Sequence, residues 1–149
     1  MHLLRKQDLS VYYFIKDLFA TSPFVEVVDG YPEAGVTIPT VAVESLDTDA
    51  YLLEMGNSQR YNIRVWNIDI YALNKTQRDE FSYQIKDALE EKIPVLDYDE
   101  GFPPSVSPSQ LGCLETDTIH IEVIRILPEL VDKYYYRATV SFTAIYNQF

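Results

Sequence analysis

The chain has 149 residues, 47% of them apolar, with 23 acidic and 12 basic side chains and a formal net charge of -11. That length fits one domain spanning 1–149 with a core that buries about two-thirds of its unfolded surface, which excludes disorder, collagen and coiled coil. The acidic balance excludes broad nucleic-acid binding and docking on anionic lipid, and a single cysteine excludes an intramolecular disulfide or a Cys-rich metal site.

Met1 to Lys6 is a polar mix with no long apolar core, unlike a secretory signal. No run approaches the roughly 18 apolar residues of a membrane span. The expectation is a soluble protein made in a reducing compartment, with Cys113 an inert thiol. Residues 8 to 20 read as a helix capped by Asp8, since Val11, Phe14, Ile15 and Leu18 recur on one face. Thr21-Ser22-Pro23 ends it.

Phe24 to Val28 reads as a strand, and Asp29-Gly30 as a turn that pairs it with Ile38 to Leu46. Asp47 to Gln59 is polar and turn-like. Residues 62 to 72 give the clearest strand: Trp66, Ile68, Ile70 and Ala72 alternate with Asn67, Asp69 and Tyr71. Ile63 and Val65 fall on the polar side, which implies a bulge or a second buried surface there.

Thr76-Gln77-Arg78-Asp79 resembles a capping box. Phe81, Ile85, Ala88 and Leu89 then form an apolar stripe, in a helix expected to stop near Lys92 because Pro94 follows. Residues 93 to 117 carry four prolines and no period, so they read as a long loop, of the kind that is usually functional. Ile119 to Leu127 and Tyr134 to Tyr146 alternate as two closing strands. The order is α-β-β-β-α-β-β. It predicts an α+β domain with a mostly antiparallel sheet of about five strands covered by two helices.

Catalytic parts are sparse. Asp97-Tyr98-Asp99-Glu100-Gly101 starts like a calcium loop, but the Gly comes one position early and no Glu closes it. His120-Ile121-Glu122 matches the H-x-E of zinc deaminases without the partner cysteines. No nucleophile elbow, phosphate loop or H-E-x-x-H is present. The expectation is therefore no catalytic residue, no metal and no cofactor. A small hydrolase or ligand-binding domain using Asp97, Asp99 or Glu122 is the alternative from a different class.

Aromatic residues make up 13% of the chain, with clusters at Tyr12-Tyr13-Phe14 and Tyr134-Tyr135-Tyr136. Tyrosine is enriched at protein interfaces, where it supplies rigid area and a polar tip. Charge is uneven too. Asp17 to Gln59 holds eight acids and no Lys or Arg, Asp87 to Asp132 holds eleven acids against Lys92 and Arg125, and Arg60, Arg64, Lys75 and Arg78 lie between. Opposed patches suit head-to-tail packing. The candidate oligomer-interface residues are Arg60, Arg64, Arg78, Phe102, Tyr134 and Tyr135.

Three stretches carry a resemblance. They are the first helix leading through Pro23 into Phe24-Val25-Glu26-Val27-Val28, Tyr61 to Leu73 followed at once by Asn74-Lys75-Thr76-Gln77-Arg78-Asp79-Glu80-Phe81, and the terminal strand Tyr136-Arg137-Ala138-Thr139-Val140-Ser141-Phe142. Together they resemble the tail terminator, or tail completion, proteins at the neck of tailed bacteriophages. The resemblance implies a non-enzymatic virion protein made in the host cytoplasm. It implies a ring, commonly a hexamer, that sits on the last ring of the tail tube protein, ends tube growth and meets the head–tail connector. The genome passes through such rings, and an acidic lumen would keep DNA from sticking. Another neck protein, such as an adaptor or head-completion protein, is the near alternative. The Pro-rich loop departs from a minimal member and is expected to act as an arm toward a neighbour.

Overall fold

The computed structural model describes residues 1–21, 25–30, 39–52, 56, 60–124 and 136–148, with Arg60 described by its backbone alone. In chain order the elements are α1 (Leu3–Leu18), β1 (Glu26–Asp29), β2 (Thr40–Leu52), β3 (Arg60–Ala72), α2 (Lys75–Leu89), β4 (Ile93–Leu96), β5 (Gln110–Ile124) and β6 (Tyr136–Asn147). The six strands form one sheet in the order β1-β2-β3-β6-β5-β4. The fold is α+β as expected, with one strand more than expected and one parallel pair.

The extra strand is β4, inside the stretch read as loop. It is four residues long and contains Pro94, so no alternation reveals it. Pairing with β5, Ile93 to Leu114 and Val95 to Gly112, makes it a strand. Because β5 already starts at Gln110, the irregular segment shrinks to residues 97–109. The parallel pair is β1 with β2, Val27 beside Val41. A tight turn at Asp29-Gly30 would return the chain antiparallel. Instead Gly30, at φ +92°, donates its N–H to the Val43 carbonyl at 2.6 Å and continues the parallel ladder. Phe24 and residues 31–38, Ile38 of the expected partner strand among them, lie outside the described residues.

Helix boundaries also move. α1 begins at Leu3, where the His2 ring accepts from the Leu4 N–H at 3.1 Å. Asp8 is thus inside the helix, not its cap. α2 is capped two residues earlier than the proposed box: Asn74 Oδ1 accepts from the Gln77 N–H at 2.9 Å, while Gln77 Oε1 accepts from the Leu73 N–H at 2.8 Å. α2 stops at Leu89, short of Lys92.

The core follows the alternation read from the sequence. Trp66, Ile68, Ile70 and Ala72 of β3 and Ala138, Val140, Phe142 and Ala144 of β6 are buried on one face. Trp66 stacks on Phe142 with ring centroids 5.4 Å apart. Ile85 and Leu89 of α2 and Val11 and Ile15 of α1 close over them, and Phe19 meets Phe81 edge-to-face at 5.1 Å to join the two helices. Each such aromatic pair adds about 1 kcal/mol beyond the area it buries.

The sheet curls, so α1 touches both of its edge strands. On one side Tyr12 donates to the Val27 carbonyl at 3.4 Å and Arg5 pairs with Asp29 at 3.0 Å. On the other, buried Ser10 accepts the Leu96 N–H at 3.0 Å and donates to the Lys6 carbonyl at 2.7 Å. Covering strand edges in this way blocks pairing with other chains at those points. Both helices therefore lie on the concave face.

The convex face carries Asp69 and Asn67, which accept from Thr139 and Ser141 at 2.7 Å each. A bulge does exist near Val65, but on the partner strand. The register of β2 shifts between Ser45 and Thr48, so two residues oppose Val65. A second bulge places Asp117 opposite the Ala144–Thr143 step.

Candidate functional site

Arg64 sits at the hairpin end of β3 and points inward under α1, with 7% of its side chain exposed. Its Nη2 pairs with Asp8 at 2.9 Å, Nη1 donates to the Leu4 carbonyl at 2.9 Å and to Gln7 Oε1 at 3.2 Å, and Nε donates to Thr48 Oγ1 at 3.0 Å. The guanidinium also lies 4.7 Å from the Trp66 ring centre, and the Trp66 N–H donates to Asp8 at 3.1 Å. Each of the three nitrogens of the planar fork has a partner inside the subunit. Arg64 is thus a structural anchor, not an exposed interface residue. No sequence period signals this, because Asp8 and Arg64 meet across 56 positions.

The other basic candidates do not join it. Arg78 is largely covered and pairs with its neighbour Asp79 at 3.0 Å. An extended strand advances about 3.3 Å per residue, so β3 separates Arg64 from the start of α2 by roughly 25 Å. The basic residues between the two acidic stretches therefore do not form one patch. The side chain of Arg60, and Tyr134 and Tyr135, lie outside the described residues.

Phe102 packs against the subunit's own first helix. Its ring meets Tyr98 at 5.2 Å, Tyr12 at 5.9 Å and Tyr13 at 6.3 Å, all edge-to-face. The clamp is joined by charge. Lys6 Nζ bridges Asp97 at 2.9 Å and Asp99 at 3.0 Å, and the Met1 amine reaches Asp99 at 2.8 Å. The Asp99 carboxyl is held down to about 2, by the Met1 amine first and Lys6 second. Lys6 is pushed up by its bonds to Asp97 and Asp99. Burial raises the Tyr98 phenol. The segment read as an arm is therefore tied down at its first third, and the calcium-like carboxylates already hold two ammonium groups.

Beyond the clamp, Asp97, Asp99, Glu100, Pro104, Ser107 and Pro108 line an open cavity of about 320 Å³. No group of three metal-ligating side chains forms among the described residues. His120 and Glu122 are exposed on the convex face, opposite Ser141 and Thr139. Cys113 is buried and free. Among the described residues no helix is long and apolar enough to cross a membrane.

Sequence reasoning missed the exposed apolar residues at the two ends of the sheet. At the hairpin, Leu46, Tyr51 and Leu52 are each over 40% exposed, and Tyr51 stacks on Tyr61 at 5.6 Å. At the opposite end Leu73, just before α2, and Tyr83, in its middle, are exposed. Residues 47 to 52 hide this, because they continue β2 past its bulge in a stretch whose sequence reads as a polar turn.

No protein-family model matches the chain. No curated protein matches it. Among solved structures, the chain is similar to a protein in the virion of a native gene transfer agent particle. The two share 12% identity at a TM-score of 0.43, over 94% of this chain and 89% of that one.

Proposed function

We propose that the chain is a non-enzymatic structural protein of a tailed-phage virion, a tail terminator. In this reading it forms a ring, a hexamer, at the head–tail junction. The ring caps the tail tube protein, ends its polymerisation and joins the tube to the head–tail connector. No cofactor is required, and DNA passes nearby without specific binding.

The observation that carries the reading is the placement of the three resembling stretches. The first helix spans the open side of a curled sheet, the strand-turn-helix unit is β3 and α2, and the terminal strand β6 pairs directly with β3. They thus form one contiguous core, not three scattered likenesses. The acid supports a channel role. Asp47, Asp49, Glu115 and Asp117 all lie toward the hairpin end of the sheet. Carboxylates grouped at one end repel phosphate within about 8–10 Å at physiological salt.

Labelled virions test this. A tagged chain should appear at the neck, and its loss should yield abnormally long tails. Normal-length tails left unattached to heads would assign it instead to an adaptor. Absence of label at the neck would end the virion-neck reading.

A further inference from the structure

Two exposed surfaces at opposite ends of β3 carry complementary chemistry, and we infer that they meet between successive copies of this chain. The inference rests on the ring reading and names the contact that would build it.

The first surface is convex, at the hairpin end. By register one row across four strands reads Asp49, Ile63, Ile145, Glu115. The Tyr51–Tyr61 stack lies in the next row. Ile63 and Ile145 are only half-buried, and Tyr51 is 46% exposed. Glu115 pairs with Lys92 at 3.1 Å, whereas Asp49 makes no ion pair or hydrogen bond among the described residues. Exposed apolar area rimmed by polar residues is the kind of surface at which proteins meet.

The second surface runs from the start of α2 to its middle. Leu73 is 60% and Tyr83 58% exposed. Lys75 lies two turns before Tyr83 on the same helix stripe. It is exposed and has no carboxylate or aromatic partner among the described residues. One surface thus offers apolar area with an unpaired anion, and the other offers apolar area with an unpaired cation. Joined, they pair Asp49 with Lys75 and remove Tyr51, Tyr61, Leu73 and Tyr83 from water.

β3 starts beside the first surface and ends beside the second, 13 residues later. At about 3.3 Å per residue that is roughly 40 Å, too far for the two patches to meet within one subunit. A contact between different patches is heterologous. It repeats from copy to copy and closes into a ring when the rotation allows.

Charge reversal and its rescue test the contact on the full chain. Sedimentation velocity and native mass spectrometry would follow K75E, D49K and the K75E/D49K double variant, with thermal melts as a folding control. K75E places an acid in the first turn of α2, where it favours the helix. Each single reversal should weaken self-association about tenfold, and the double variant should restore it to within about threefold. K75A and D49N should weaken it less, in the same direction. A wild-type chain that stays monomeric at high concentration overturns the inference, as do single reversals without effect or a double variant without rescue. Neck labelling of virions is independent of these results. A ring insensitive to both reversals removes this contact and leaves the neck reading standing.

Discussion

Replacing Arg64 by alanine gives the sharpest test of how α1 is held to the sheet. The side chains of Arg64 and Asp8 are 7% and 15% exposed. Removing the guanidinium leaves the Asp8 carboxylate, among the described residues, with the Trp66 N–H alone, and takes a donor each from the Leu4 carbonyl, Gln7 and Thr48. Breaking a buried pair by deleting one partner costs about 3–5 kcal/mol, and the residual solvent access of Asp8 points to the lower end, about 3 kcal/mol. For a chain of this size that lowers Tm by roughly 6–12 °C. The protein contains a single tryptophan, Trp66, so its fluorescence reports this site during urea unfolding. Asp8→Asn keeps an oxygen for the Trp66 N–H while removing the countercharge, and should cost less than R64A. The double variant R64M/D8L, which removes both charges, should also be milder than R64A. An R64A loss below about 1 kcal/mol would refute the assignment of Arg64 as an anchor.

Three further outcomes are expected. Ser10→Ala leaves the Leu96 N–H without its acceptor between α1 and β4 and should cost about 1–3 kcal/mol in chemical denaturation; hydrogen exchange at Leu96 should quicken, and unchanged exchange would contradict the bond. Gly112→Ala brings a methyl group to 2.5 Å from the Asn147 carbonyl and 2.7 Å from the Tyr146 ring, so β5 must part from the end of β6; a variant melting with the wild type would disprove that contact. Asp99, depressed to about 2 in the folded chain, contributes above the ordinary carboxylate pKa of about 4 and loses that contribution as pH falls through 2. Asp99→Asn should therefore raise protease sensitivity of residues 97–109 at neutral pH, and added salt should do the same to the wild type; identical cleavage patterns would count against the ionic clamp.

Local pattern was enough wherever one face of an element is buried and the other is wet. The alternation of Trp66, Ile68, Ile70 and Ala72 fixes the inner face of β3, and Phe81, Ile85 and Leu89 fix the inner stripe of α2, because burial repeats with the period of the backbone. β4 escaped because four residues with a proline show no period, and the continuation of β2 escaped because its bulge interrupts one. The candidate interface fared differently. Arg64 and Phe102 look like surface anchors in the sequence, yet both are spent on α1, Phe102 through Tyr12 and Tyr13.

The sequence by itself determined the α+β class, the two helices, most of the strands and the acidic excess, since these depend on residues near one another in the chain. Only the tertiary structure decided which charges are free. Lys6 with Asp97 and Asp99, Asp8 with Arg64, and Lys92 with Glu115 neutralise one another across distant segments. Among the described residues, Asp49 and Lys75 are left exposed and unpaired at opposite ends of β3. A pair's worth depends on distance and burial, and neither is written in chain order.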